Sequence, residues 1–427
     1  MISNWLAAAL ARRNIHYGWV MVGVTFLASL IAAGTVGAPG VFIVPLQHEF
    51  GWTTAEISSA LSIRFMLFGL MAPFAAALLN RHGLRNVTLL AQLIVVSALV
   101  ASLAMTKVWQ LMLLWGVVVG IGTGMTAAVL GATIATRWFV VRRGLVVGIL
   151  SASVATGQLV FLPLLASLTE RFGWRIALSL VCAMLAVSAS LVLLLMSDRP
   201  GDLGLRPFGD TGTEPLPPPA PATAPIVAAA LGTLRDAAKT RVFWILFATF
   251  FICGASTNGL IQVHLIPMCL DFGIPQAQAA SLLAAMGVFD FVGTIASGWL
   301  SDRYDNRWLL FWYYGLRGLS LVALPFSDFS FYGLSLFALF YGLDWIATVP
   351  PTVRLTAQRF GTERANLVFG WVFTAHQLGA GTAAFGAGLS RTVLASYLPA
   401  FFAAGALCII AALIVLMISR QPKPVAA

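Results

Sequence analysis

Apolar residues run through this chain in stretches of about 20, separated by short clusters of charge, Gly and Pro. A hydrocarbon layer of ~30 Å takes about 20 helical residues to cross, and lipid offers backbone N–H and C=O groups no partners, so such runs read as sealed spanning helices. Twelve are predicted, at 17–46, 53–78, 87–106, 109–135, 144–167, 175–197, 242–267, 277–300, 308–327, 331–354, 365–389 and 398–419. The expected fold class is an all-α polytopic membrane protein with 12 transmembrane helices.

The pattern breaks after the sixth run, where Asp198-Arg-Pro-Gly-Asp-Leu-Gly-Leu leads into Pro215-Leu-Pro-Pro-Pro-Ala-Pro. Pro-rich polar sequence forms an extended, solvated linker. Residues 198–240 are therefore expected to join a first half, 1–197, to a second, 241–427, with a short surface helix from about Pro225 to Ala238. The halves repeat at an offset of 222 residues: Pro45, Phe50 and Gly51 fall on Pro267, Phe272 and Gly273, and Arg137, Arg142 and Gly157 on Arg359, Arg364 and Gly379. The twelve spans form two six-helix pseudo-repeats. Gly34 to Gly40 and Ser256 to Gln262 lose regular apolar character at the same depth of spans one and seven; their small residues permit either unwinding toward a cavity or close helix packing. Gly116, Gly120 and Gly124 put three glycines on one face of span four, a packing surface.

Charge changes the picture only in orientation. Of 427 residues 59% are hydrophobic and 9% charged, with a net charge of +10 that in a soluble protein would suggest nucleic acid. Here only Lys107, Arg171, Arg175 and Arg391 fall on one set of loops and Arg64 and Arg317 within spans; every other Lys and Arg lies on the side of the termini. The positive-inside rule then places both termini in the cytoplasm of a cell inner (plasma) membrane. The first apolar stretch is too long for a signal peptide and is expected to stay. Cys182, Cys253, Cys269 and Cys408 show no metal spacing and read as small buried apolar residues. No phosphate-binding Gly-Lys-Ser loop, metal-ligand cluster or nucleophile elbow is present, which argues against an enzyme, a cofactor or ATP-driven transport.

Gly298-Trp-Leu-Ser-Asp302-Arg303-Tyr-Asp305-Asn-Arg307 resembles the loop motif of the major facilitator superfamily. The first-half copy has Ala76 for the Gly and Asn80 for the Asp, followed by Arg81 and Arg85. The resemblance implies the major facilitator fold, substrate near the midplane between halves, and a gating latch at Asn80, Arg81, Asp302, Arg303 and Arg307. Arg137-Trp138-Phe139-Val-Val-Arg142-Arg143-Gly144, with Gly157, Pro163, Phe50-Gly51-Trp52 and Gly173-Trp174-Arg175, is similar to the monocarboxylate-porter and oxalate/formate-antiporter branch. That branch often follows its span-eight Asp four residues later with an Arg that grips a carboxylate; here Asp290 is followed by Thr294, and no Lys or Arg lies between Asn14 and Ile63.

Four charges lie deep in spans: Arg64, Asp290, Arg317 and Asp344. Each costs on the order of 2.5–3.5 kcal/mol at a helix centre, so each needs a partner, water or a task. Arg317 and Asp344 match in depth and suggest a structural ion pair, or, with Asp290, a proton-coupling set. Arg64 is the preferred anion anchor, because a guanidinium grips a carboxylate bidentately; an acid or carbonyl partner is the alternative. Asp290, desolvated in its helix, suits a group that loads and unloads a proton. Gln158 of span five, Asn258 beside Thr257 and Gln262, and His376 are candidate substrate contacts, with bonds across helices as the alternative. His264 is expected at the water-facing interface.

The leading expectation is a secondary active transporter of a small organic anion, proton-coupled, working as a monomer by alternating access, with partners limited to substrate, protons and the lipid bilayer. The alternative is a proton-driven exporter of a drug or metabolite, against which count the absence of an Arg between Leu111 and Thr136 and of a Gly-Pro signature in span five. A membrane sensor would call for a sizeable soluble domain, and the longest soluble segment is the linker.

Overall fold

The computed structural model of the chain describes residues 2–37, 39–126, 129–211 and 226–419. Helices occupy all twelve predicted runs. Span one is carried by Gly18–Gly37 and Pro39–Phe50, span two by Thr54–His82, span three by Leu84–Ser102, span four by helical segments from Val108 to Trp138, span five by Arg143–Phe172 and span six by Trp174–Leu195. Span seven runs through Arg241–Gly254, Ala255–Ile261 and Gln262–Asp271, span eight is Gln276–Arg303, span nine Asn306–Ala323, span ten Phe331–Asp344 and Val349–Phe360, span eleven Thr362–Leu394 and span twelve Leu398–Val415. The linker helix is Ile226–Ala237, close to its expected bounds, while the N-terminal helix Ile2–Ala11 was not anticipated.

The repeat is visible in the backbone. Gly51 and Gly273 both take positive φ, +69° and +79°, and Gly173 and Ala395 do so at φ 84° and 52°. Each pair is 222 residues apart, so positive φ recurs at the same points of the two halves.

With no hydrophobic drive between helices in lipid, contact comes from close backbone approach at small residues. Gly116, Gly120 and Gly124 lie against Ala60, Arg64 and Phe68 of span two, which bears out the packing face read from span four. Gly157 meets Leu30, Gly259 meets Ala380, and Gly293 meets the Leu343 carbonyl oxygen, so spans five, seven and eight each lean on a neighbour through a missing side chain. Between the halves, span two packs on span eleven and span five on span eight. Hydrogen bonds that cross the halves gather at the face away from the termini, here the far face. Ala277 N–H donates to Glu170 Oε1 at 3.0 Å, Gln276 Nε2 to Val41 O at 2.6 Å, and Ala55 N–H to Thr392 Oγ1 at 3.1 Å. One more, Thr374 Oγ1 to Gly69 O at 3.0 Å, sits half way along.

The segment after span six is tied back to the first half. Phe139 and Phe208 form an isolated bridge, Phe139 packs edge-on against Trp19, and His16 Nε2 bonds Arg206 O at 2.8 Å. The Trp138-Phe139 pair that carried part of the family resemblance is therefore a buried anchor.

Replacing Gly293 by Ala should lower the thermal midpoint by several degrees, since its Cβ would meet the Leu343 backbone and overpacking costs about 1–3 kcal/mol. Gly298→Ala, with open space around it, should leave the midpoint unchanged in the same fluorescence-detected melt. Ala substitutions at Glu170 and Gln276 together should raise labelling of a cysteine placed at Asn258 by an impermeant maleimide added at the far face. An unchanged rate would mean those bonds do not hold that face shut.

Candidate functional site

Span ten is broken, and the deep charges gather at the break. The reason is local: Pro350 and Pro351 have no N–H to give a preceding turn, so the helix that ends at Asp344 restarts only at Val349 with proline in its first turn. This was missed in the sequence, although the Pro-Pro pair was its signal. Residues 345–348 leave backbone groups that lipid would not satisfy.

Side chains of spans nine and eight bond them, and span seven braces the cluster. Arg317 of span nine donates from Nη2 to Asp344 O at 2.5 Å and Trp345 O at 3.1 Å, and from Nε to Asp344 Oδ2 at 2.6 Å. Asp290 of span eight accepts the Ile346 N–H at 2.9 Å, and Thr294 donates to the same oxygen at 3.0 Å. Ser297, two turns below Asp290, donates to Ala347 O at 2.5 Å. Span seven closes the ring: Cys253 Sγ lies 3.1 Å from Arg317 Nη1 and 3.2 Å from Thr348 Oγ1. Tyr341 donates to Ser256 O at 2.8 Å. The expected Arg317–Asp344 pair is present, but its work is larger than charge neutralisation. Asp344 Oδ1 is buried without a hydrogen-bond partner among the described residues. Cys253, expected to be a small apolar filler, is a polar member of this cluster. Thr294, where a carboxylate-gripping Arg was looked for, orients Asp290.

Span seven changes to a wide π-type turn over Ala255–Ile261, at the depth where its apolar pattern weakens. Such turns inside helices recur at functional sites. Thr257 bonds back to Cys253 O at 2.7 Å, whereas Asn258 is half-buried and makes no hydrogen bond among the described residues. His376 stacks on Phe373 and tilts against Phe250, with Gln377 Nε2 3.4 Å from its Nδ1. His264 corrects an expectation: it is fully buried, bonded at Nε2 to Ala384 O at 2.8 Å and packed on Tyr397, because span eleven covers it.

Arg64 is 4% exposed, with its guanidinium 5.1 Å from the Phe65 ring. Its neighbours Ser62 and Met66 meet Gly381 of span eleven, which puts Arg64 in the stretch of span two where the halves touch. The side chains of Gln158 and Asn80 lie outside the described residues.

The motif residues divide. Asp302 pairs with Arg354 of span ten, Arg303 lies 4.0 Å over the Trp299 ring, and Arg307 bonds Asp305 and, at 2.8 Å, Ile418 O. In the first half Arg81 is exposed, and Asp198 accepts the Arg85 N–H at 2.9 Å. Asp198, which sequence reasoning placed only in the linker, thus supplies a carboxylate at the end where the motif copy has Asn80.

The comparisons agree with this architecture. The model of the Major Facilitator Superfamily matches residues 25–384 and 266–427. Monocarboxylate transporter 13 of Rattus norvegicus is 28% identical over 393 residues, covering 91% of this chain and 86% of that protein. The uncharacterized MFS-type transporter YcxA of Bacillus subtilis (strain 168) is 24% identical over 405 residues, covering 91% of each. A crystal structure of the nucleoside transporter NupG superposes with a TM-score of 0.75 over 93% of this chain and 99% of that one, at 11% identity, and so speaks to the fold alone. With helical spans in two related halves among the described residues and the family model matched almost end to end, the chain belongs to the Major Facilitator Superfamily and is a multi-pass membrane transporter of a small-molecule substrate, not an enzyme.

Proposed function

We propose that this transporter carries a small organic anion, a carboxylate, coupled to protons and working by alternating access of the halves 1–197 and 241–427 as a monomer. The observation that carries the reading is Arg64, a guanidinium held deep in span two at the contact between halves, in a chain whose relatives include proteins named monocarboxylate transporters. Its planar fork of N–H donors fits a carboxylate bidentately. Asn258, beside the wide turn, and His376 and Gln158 are assigned to the rest of the substrate site. The crowding of Lys and Arg on the terminal side assigns both termini to the cytoplasm of the plasma membrane and the far face to the exterior. The bonds at Glu170, Gln276 and Thr392 then describe a state closed to the outside.

Asp290 is assigned the coupled proton. As a carboxylate it holds the Ile346 N–H by a charge-assisted bond, roughly twice as strong as a neutral one. Protonation weakens that hold on the span-ten break, and Asp344 Oδ1 offers a second place in the same cluster for a proton. Arg317 keeps the cluster assembled, and the latch residues Asp302, Arg303, Arg307, Asn80 and Arg81 bias the state of the near face.

Arg64→Ala should reduce uptake of radiolabelled carboxylates into proteoliposomes at least tenfold while the protein still elutes as a single species, and Arg64→Lys should retain part of it. Equal uptake by the Ala variant would remove Arg64 from recognition, and no transport of any carboxylate by the unaltered protein would remove the anion itself. Asp290→Asn should make net uptake insensitive to an imposed pH gradient while leaving exchange intact. Persistent acceleration by an inward proton gradient would assign the proton elsewhere.

A further inference from the structure

The linker helix Ile226–Ala237 rests on span two and span eleven, one from each half. It buries Ala230 and Ala237, and Trp371 of span eleven donates its indole N–H to Ala230 O at 3.0 Å in a buried contact. The opposite side is open: Val227 and Leu231, one turn apart, are 55% and 47% exposed, and the same stripe continues into exposed Arg235. Leu234 packs inward beside the two alanines, but Val227 and Leu231 point outward, the reverse of what water favours.

Depth explains the reversal. Trp244, at the start of span seven, is 53% exposed and donates its indole N–H to Ala238 O at 2.8 Å. A tryptophan at the end of a spanning helix, ring outward and N–H satisfied, sits at headgroup level. Its bond holds the C-terminal end of the linker helix at that level. Around it stand Arg235, Lys239, Arg241 and Arg364, all exposed, against Asp236, which lies 3.1 Å from Lys239 and 3.9 Å from Arg364. Apolar residues flanked by cations at this depth are the chemistry of an interfacial helix on anionic lipid.

We propose that Val227, Leu231 and Trp244 insert at the acyl boundary while Arg235, Lys239 and Arg241 bind the phosphates of anionic headgroups. Because the helix touches both halves, headgroup charge is thereby tied to the near-face contact between spans two and eleven.

The full-length chain in detergent, supplied with equimolar phosphatidylglycerol and phosphatidylcholine, is read by native mass spectrometry. The unaltered protein should retain phosphatidylglycerol in preference, and R235Q/K239Q/R241Q should lower that preference at least about fivefold. V227S/L231S should reduce retention of both lipids while keeping the preference. These positions are exposed, so folding should survive, and single-species elution verifies it; should the triple variant aggregate, K239Q alone is read against the same ratio. An unaltered preference in the cation variants, no preference in the starting protein, or a dimer formed through this face would overturn the proposal.

Discussion

A guanidinium holding a broken helix is the constraint on which the second half is built. In hydrocarbon an unpaired backbone carbonyl costs several kcal/mol, and the turn at 345–348 exposes several. Arg317 answers two of them and the Asp344 carboxylate at once, and it is itself almost wholly buried. A buried ion pair contributes little net stability, but removing one partner strands the other at a cost of about 3–5 kcal/mol. The clamp therefore acts through specificity: spans seven, eight and nine must be in register for Cys253, Asp290 and Arg317 to reach the break together.

That register is set by absent side chains. Gly293 on Leu343, Gly342 on Met286, and Gly254 and Gly379 on the backbones of spans eleven and seven bring helix axes close enough for short polar groups to span the gap. The first half uses the same means, three glycines of span four on span two, and one of those, Gly120, lies against the backbone of Arg64. A side chain there would move the buried cation as well as the helix. Packing and the proposed chemistry thus share residues.

The polar bonds between halves lie largely at the far end, through Glu170, Gln276 and Thr392, and the contact continues inward through Gly69 with Thr374 and the Phe74–Trp371 rings. Each such bond contributes about 1 kcal/mol net. The interface is interlocked by small residues along spans two and eleven and bridged by single side chains where helix ends meet.

The number and class of helices, the two-half repeat, the glycine face of span four and the matched depth of Arg317 and Asp344 were legible in the sequence. Each follows from a local or periodic rule: helix length against bilayer thickness, a fixed 222-residue offset, and 3.6-residue spacing. Tertiary structure alone decided that Asp290 serves a backbone N–H of another span, that Cys253 and Ser297 belong to the same cluster, that His264 is buried, and that Asp198 stands at the end where Asn80 replaces the motif acid. Those partners lie between 50 and 120 residues apart in the chain. No periodicity carries such pairings, since which side of a helix meets which neighbour is chosen by close packing of whole spans.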